Sequence, residues 1–362
     1  MEFDFPRTTP EFPAKPRPIV VIGAGGIVRD AHLPAYRKAG FEVAGLVNRD
    51  RVKAVELADA FGIPAVFDTL DEAIAGAPEG AVFDIALPAS LHARTLEQLP
   101  VGTPVLIQKP MGESLDEART ILEVCERRSL NAAINFQLRY APFVIAARDL
   151  IEQGVIGELL DLEVRVAVET PWQLWPFLSG VAFAEFYYHS IHYVDLIRSF
   201  LGEPARVWAR TVSHPDAPNM DGSRSTYAFD YGDRVRATIT TNHHVRYGLD
   251  HQEAWIQWLG NRGAIRASLG VLMDYPRGVE DIFEVCTFDT NGKPVWQRLE
   301  IPGAWFPDAF IGTMASVMRA ADDPALEPAT SVRDAFQTMR VIDAASRSAR
   351  SGGVELNRNG SA

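Results

Sequence analysis

Lys109 stands one residue after the apolar run 105–107, with Gln108 between, and directly before Pro110. At the carboxyl end of a buried strand, an ammonium group can polarise a substrate oxygen, and burial would lower its pKa. The alternative is a surface lysine that merely opens a loop. A second group lies in FYYHSIHYVDLIRSFLG, which holds Tyr188, His189, His192 and Asp195. Helical spacing puts Tyr188 and His192, four apart, on one face, with His189 nearly on it. His192 is a natural general base because an unperturbed imidazole titrates near neutrality; the alternative is a core histidine. A metal centre would need further ligands at fixed geometry. Glu185, His243 and His244 are conceivable, but no spacing compels such a site and none is expected. In TPWQLWPFLSG, Trp172, Trp175 and Phe177 crowd together. Their rings suit the apolar C–H faces of a sugar, or a core, and Trp175 is read equally as pocket or packing.

A third group holds no acid or base. In IVVIGAGGIVRDAHLPAY, the run Ile19–Ile22 passes straight into Gly23, Gly25 and Gly26, and a helical pattern starts near Ile27. A strand ending in glycines at a helix start is a phosphate cradle, made of free N–H groups and the positive helix end. Gly23 permits the turn and Gly25 lets a diphosphate approach the backbone. The third glycine of GxGxxG is replaced by Val28. At the end of the second strand, a cofactor with a free ribose 2′-hydroxyl usually meets an acidic residue. Here Asn48 and Arg49 stand there. An amide and a guanidinium better suit a 2′-phosphate, so NADP is expected, with NAD possible. The alternative is a solvated turn with Asp50 capping a helix. Pro88 and His92, in LPASLHA after the fourth strand, are expected beside the cofactor's diphosphate and ribose, unless His92 is simply an early helix residue.

These residues need a scaffold. Residues 1–18 read as an extended, proline-rich arm. From 19 to 136, strand-like and helix-like segments alternate, which implies a parallel sheet with helices on both faces: a dinucleotide-binding domain of α/β class. From 137 to 362 the texture changes to long strand-like stretches joined by Gly/Asp/Asn turns, with a helical segment at 188–201 and two helices closing the chain. That reads as a substrate-binding α/β domain with a large open, mainly antiparallel sheet.

Bulk properties narrow the partners. The chain has 362 residues, enough for two ordinary domains, and 47% are hydrophobic, as in a folded globular protein. Thirty-five basic against 47 acidic residues give a net charge of −12 with no basic cluster, which disfavours nucleic acid and anionic membranes as partners. Two cysteines make no disulfide framework. Neither a membrane span nor a signal-peptide h-region is apparent, so a cytoplasmic location is expected.

The ordered set of motifs resembles the Gfo/Idh/MocA family (glucose–fructose oxidoreductase, inositol dehydrogenase, rhizopine catabolism). The resemblance runs through IGAGGIVRDAHLPAY, LPASLHA, LIQKPMGESLDEA, NFQLRYAPFVIAARDLIEQGVIGEL, HSIHYVDLIRSFLG, AFIGTMASVMRAADDP and VIDAASRSARSGGVEL. It implies a Rossmann domain followed by an α/β domain with an open sheet, NAD(P)-dependent oxidation or reduction of a sugar, polyol or sugar derivative, and a homodimer or homotetramer formed through that sheet. The family's EKP lysine falls on Lys109. Its Asp-x-x-x-His pair puts histidine at His192 and aspartate at 188, where this chain has Tyr188; the EKP glutamate is replaced by Gln108. The mechanism this implies has His192 accepting a hydroxyl proton while Lys109 steadies the developing alkoxide. Tyr188 orients His192 or relays the proton, and Arg139, Trp175 and His189 line the substrate pocket. Two other functions are compatible with the sequence: a cofactor-recycling glycoside-cleaving enzyme, and a non-catalytic NADP-binding sensor.

Overall fold

A computed structural model describes residues 3–353; residues 1–2 of the expected arm and 354–362 of the expected second domain lie outside the described residues. The first sheet is built by alternation. Strand β1 (Ile19–Ile22) is followed by α1 (Leu33–Ala39), β2 (Val43–Val47), α2 (Arg51–Phe61), β3 (Val66–Phe67) and α3 (Leu70–Gly76). Then come β4 (Val82–Ile85), α4 (His92–Leu96), β5 (Pro104–Ile107), α5 (Leu115–Arg127) and β6 (Asn131–Ile134). Local chemistry sets the helix ends. Asp50, Thr69 and Ser114 each accept a backbone N–H of the first turn of α2, α3 and α5. Gly40 and Gly62 close α1 and α2 in the left-handed conformation.

The six strands are all parallel, in the order β3-β2-β1-β4-β5-β6. The chain reverses its winding between β1 and β4, so their carboxyl ends open a crevice suited to a ligand. Gly23 follows β1 at that crevice, Pro88 follows β4 and Lys109 follows β5.

The second half starts with α6 (Pro142–Glu152), β7 (Leu159–Ala167) and α7 (Ile191–Leu201). Strands β8 (Arg206–Val212), β9 (Arg224–Asp230), β10 (Arg236–Asn242), β11 (Glu253–Gly260), β12 (Ala264–Ser268), β13 (Phe283–Phe288) and β14 (Pro294–Leu299) follow, and α8 (Ala309–Asp322) and α9 (Val332–Ser351) close the chain. The eight strands form one open sheet in the order β14-β13-β12-β11-β7-β10-β9-β8. Its pairs are antiparallel except β7 with β10.

Two helical segments depart from regular α geometry. The expected helix over 188–201 is a π turn at Phe186–Ser190 followed by α7, and α1 is preceded by a π turn at Val28–His32. In the first case the cause is visible: Ser190 Oγ donates to buried Glu185 Oε1 at 2.5 Å, a bond that spans five residues and so matches π spacing.

Packing unites the two sheets. Phe310, Met314 and Val317 of α8 lie in the same core as Ile19 and Val21 of β1 and Val28 and Tyr36 beside them. The C-terminal part of the chain thus covers one face of the first sheet. The arm lies along the body: Phe12 meets Phe41 edge-on at 5.9 Å, and Arg7 pairs with Glu152 of α6 at 2.8 Å.

Candidate active site

The glycine turn is shaped for a close-approaching anion. Gly23 has φ +117°, and a Cβ there would lie 2.4 Å from the Ala86 carbonyl oxygen. Only glycine lets the end of β1 run this close to the end of β4. At Gly25, a Cβ would meet nothing within 4 Å among the described residues. The Gly25 carbonyl accepts the first helical bonds, from the N–H groups of Val28 and Arg29 at 3.1 and 3.2 Å. The N–H groups of Gly25, Gly26 and Ile27 therefore precede the helical ladder, as a diphosphate requires. Val28 is fully buried in the core against β1. The third glycine normally lets the helix pack tightly on the strand; here valine packs where the helix widens into its π turn.

After β2, Asn48 ties the crevice together. Its Oδ1 accepts from the Ala24 N–H at 3.2 Å and its Nδ2 donates to the Asp50 carbonyl at 2.9 Å. Asp50 caps α2 through the Lys53 N–H at 3.3 Å and lies 3.7 Å from the Lys53 ammonium. Arg49 is exposed and forms no ion pair among the described residues. Open glycine backbone, preceding N–H groups and a free guanidinium fit a nicotinamide dinucleotide, with its diphosphate on Gly25–Ile27 and its ribose near Asn48 and Arg49. Pro88 is exposed on the loop after β4. His92 requires a correction. Its ring is fully buried, and Nε2 lies 3.0 Å from the Leu87 carbonyl. Burial lowers its pKa to about 4. His92 is a neutral brace for the loop, its Nε2 spent on the Leu87 carbonyl.

Lys109 and the histidines converge from the two halves of the chain. Lys109 Nζ donates to the backbone carbonyl of Tyr188 at 2.8 Å. Burial lowers its pKa to about 8. Burial also holds His192 well below the usual imidazole range, and the Lys109 charge adds to this. His189 is depressed likewise, first by burial, then by His243, Lys109 and His192. Two neutral imidazoles thus face one ammonium, which suits proton acceptance beside a stabilised oxyanion. Nδ1 of His192 is buried without a partner. Its ring meets Trp305 edge-on at 5.7 Å.

Gln108 explains how the lysine is held. Asp84 Oδ2 accepts from the Tyr36 hydroxyl at 2.7 Å and lies 2.7 Å from His32 Nδ1. That bond puts the His32 proton on Nδ1 and leaves Nε2 as an acceptor. Gln108 Nε2 at 3.0 Å and Asn135 Nδ2 at 3.3 Å are the matching donors. Gln108 Oε1 in turn accepts the Lys109 N–H at 2.8 Å. An ionised glutamate at this position would have no N–H to give the His32 Nε2.

Tyr188 and Arg139 also depart from expectation. The Tyr188 phenol donates to Glu113, not to His192, and its ring packs on Phe177 at 5.6 Å. Burial, the bond to Glu113 and that carboxylate's charge raise its pKa, so it is held protonated and does not serve as a relay. The π turn is the reason: it shifts Tyr188 off the helical spacing that seemed to align it with His192. What Tyr188 supplies to Lys109 is its main-chain oxygen. Arg139 is one-tenth exposed and forms two bonds of 2.6 Å to the buried Asp195 carboxylate, with Asp334 on its other side. It is a buried structural ion pair: each of its three nitrogens donates to a protein acceptor, Asp195, Asp334 or the Ala329 carbonyl.

His189 lies against an aromatic wall, with Trp172 at 5.1 Å and Trp175 at 6.2 Å. Trp175 also meets Tyr275 at 5.2 Å. His243 packs on His189 at 4.8 Å, and its Nδ1 lies 2.7 Å from Thr170 Oγ1. Its Nε2 is 3.6 Å from Glu185 Oε1. His244 turns instead to Ser223, at 2.9 Å, so the three do not converge on one point. Sequence reading missed Trp305, Tyr275 and Glu113. Trp305 and Tyr275 stand in no motif and arrive from distant loops; Glu113 lies in LIQKPMGESLDEA, four residues after Lys109, but nothing there marks it as the partner of Tyr188. The cis-Pro neighbours Pro276 and Pro307 mark irregular loops near two of them, but say nothing of what those loops touch.

Comparison with known proteins places this geometry. A family model described as oxidoreductase family, NAD-binding Rossmann fold, matches residues 17–136, and one for the GFO/IDH/MocA C-terminal domain matches residues 144–266. The chain is 24% identical over 346 residues to D-xylose 1-dehydrogenase (NADP(+)) 2 of Haloferax volcanii, covering 93% of this chain and 99% of that protein. It is 30% identical over 210 residues to an uncharacterised protein of Saccharomyces cerevisiae, covering 54% of this chain and 58% of that one. An oxidoreductase from Agrobacterium radiobacter, solved with NAD+, L-tartaric acid and magnesium, superposes with a TM-score of 0.75 at 21% identity over 93% of this chain and 97% of that one. Levoglucosan dehydrogenase, solved with NADH and levoglucosan, gives 0.74 at 18% identity over 93% and 98%. These two structures share the fold with this chain. No helix among the described residues is long and apolar enough to cross a membrane. With both halves matched in order, the chain belongs to the Gfo/Idh/MocA family and is an NAD(P)-dependent oxidoreductase.

Proposed function

We propose that this protein transfers hydride reversibly between a nicotinamide cofactor, NADP in preference to NAD, and a secondary alcohol or ketone of a sugar, polyol or sugar derivative. The observation that carries the reading is that Lys109, at the carboxyl end of β5, is bound to the Tyr188 carbonyl on the turn leading into His192, whose pKa its charge lowers. The preference for NADP rests on exposed Arg49, whose neighbouring carboxylate Asp50 is engaged in capping α2. The sugar class is supported by relatives named as D-xylose 1-dehydrogenase, 1,5-anhydro-D-fructose reductase and D-apiose dehydrogenase.

The nicotinamide, when bound, supplies the hydride acceptor or donor. The chain's residues supply the rest. His192, neutral because it is buried beside a cation, takes the hydroxyl proton during oxidation and returns it during reduction. Lys109, fixed by the Tyr188 carbonyl and by Gln108, holds an ammonium where negative charge develops on the substrate oxygen. Trp305 excludes water from one side of His192. His189 and Trp175 bound the substrate on the other.

The test is a fluorescence titration with NADPH and NADH, followed by turnover on a panel of sugars and polyols. NADPH is expected to bind more tightly, and Arg49→Ala to erase that preference. Lys109→Ala is expected to keep cofactor affinity and lose roughly 100- to 1000-fold in kcat. Tighter binding of NADH overturns the NADP assignment, and near wild-type turnover in Lys109→Ala removes the lysine from the chemistry.

A further inference from the structure

Trp172 and Trp175, which pack on His189, also line a cavity of about 630 Å³. Small-molecule sites span roughly 300–1,000 Å³. Neither Lys109, His189 nor His192 lines it. The loop after β7, the turns at 216–220 and 244–252, and Tyr275 build it. We propose that this chamber is a subsite for a second, uncharged sugar ring, so that the substrate is a glycoside or disaccharide whose oxidised ring sits at Lys109 and His192. The proposal rests on the sugar-oxidoreductase reading and extends it.

Three observations carry it. First, the chamber adjoins the reacting groups: Trp172 and Trp175 line it and also pack on His189. Lys109 and His192 do not line it, so its occupant is a neighbouring part of the substrate and not the ring being oxidised. Second, its lining combines the aromatic rings of Trp172, Trp175 and Tyr275 with the amides of Gln173, Asn219 and Gln252. Flat rings meet the C–H faces of a pyranose, and amides both donate to and accept from its hydroxyls. Third, the charge excludes an anionic occupant. The lining holds Glu169, Asp216 and Asp274 against one guanidinium, Arg246. Arg246 is itself shared between Asp216 at 3.2 Å and Glu169 at 3.8 Å. His244 is kept neutral by burial and by neighbouring cationic and imidazole groups, its pKa lowered to about 4. A phosphate, a nucleotide or a sugar acid would meet carboxylates with no free cation among the described lining residues.

The test is calorimetric titration of the full-length protein, saturated with its cofactor, using matched pairs: glucose with cellobiose and maltose, galactose with lactose, xylose with xylobiose. Glucose 6-phosphate and UDP-glucose serve as anionic probes. At least one disaccharide is expected to bind about tenfold or more tightly than its own monosaccharide. Ala217→Trp, which fills the chamber from an exposed loop, is expected to abolish that gain and leave monosaccharide affinity within about twofold. Tyr275→Ala, which removes one ring, is expected to reduce the gain and guards against misfolding of the first variant. Absence of any gain, a gain that survives in both variants, or an anionic probe whose tighter binding is lost in Ala217→Trp overturns the proposal. Oxidation of monosaccharides without a disaccharide gain overturns the subsite alone. A disaccharide gain without any nicotinamide reduction overturns the dehydrogenase reading alone, and failure to bind any sugar overturns both.

Discussion

At the scale of single residues, the site is decided by what holds Lys109. Its main chain hangs on Gln108, whose amide is matched to His32 Nε2, and its ammonium hangs on the Tyr188 carbonyl. Burial brings its pKa down to about 8, against 10.5 for an ordinary lysine. The charged form therefore dominates below about pH 8 and disappears above it. If the ammonium carries the oxyanion, kcat/KM falls above about pH 8, approaching tenfold per pH unit. Lys109→Arg keeps a cation that does not titrate in this range, so its lower activity should show no such limb. A limb unchanged in Lys109→Arg would assign the titration to another group. The departures at 108 and 188 become intelligible at this scale. Gln108 supplies an N–H donor to His32 Nε2. Tyr188 offers its backbone oxygen, and its side chain serves Glu113.

At the scale of elements, the strand–turn–helix unit of β1 and the helix after it illustrates two glycines with different duties. At Gly23 the backbone itself forbids a side chain, through φ +117° and the Ala86 oxygen 2.4 Å from a built Cβ. At Gly25 the protein leaves open space. Gly23→Ala should destabilise the fold by about 1–3 kcal/mol through strain and contact, seen as a lowered midpoint in denaturant. Gly25→Ala should leave that midpoint nearly unchanged and weaken cofactor binding, because the added methyl stands where the diphosphate approaches. Equal stability losses in both variants would show that Gly25 is a folding residue. The π turn at Phe186–Ser190 belongs to this scale as well. It is pinned by Ser190 to Glu185, and it sets the Tyr188 carbonyl 2.8 Å from the Lys109 ammonium, which also lies over the Tyr188 ring at 5.7 Å.

At the scale of the whole molecule, the eight-stranded sheet is open, and its edge strands expose large rings. Trp208 of β8 is 55% exposed and Trp296 of β14 is 49% exposed. Exposed aromatic groups on an uncovered sheet are the usual sign of an unfinished interface. We propose that two or four copies assemble through this surface. Light scattering after size exclusion should give a dimer or tetramer mass, and Trp208→Glu or Trp296→Glu should lower it while the cofactor still binds. A monomer mass for the unaltered chain at micromolar concentration would exclude the assembly. Cofactor and substrate elements are meanwhile locked together within one chain. Helix α8 packs on the first sheet after the second sheet is complete, so the site closes only when both halves have folded.

The sequence by itself determined the Rossmann half and the open, mainly antiparallel sheet, and it singled out Lys109 and His192 as the candidate pair. Each of these rests on a local rule: strand–glycine–helix order, alternation of apolar runs, and a lysine at a strand's carboxyl end. Its reading of Asn48 and Arg49 left cap and phosphate contact open; the structure gives the cap to Asp50 and leaves Arg49 free. Only the tertiary structure decided where Arg139, Tyr188 and His92 spend their polar groups, because each is claimed by a partner remote in sequence or by burial. Asp334 lies 195 residues from Arg139, and Glu113 lies 75 residues from Tyr188. The same holds for Trp305 and Tyr275, which reach the site from loops with no motif. Residue type and spacing encode local geometry and chemical capacity. Which capacity is used depends on desolvation and on the nearest competing donor or acceptor, and those are fixed only when distant segments pack.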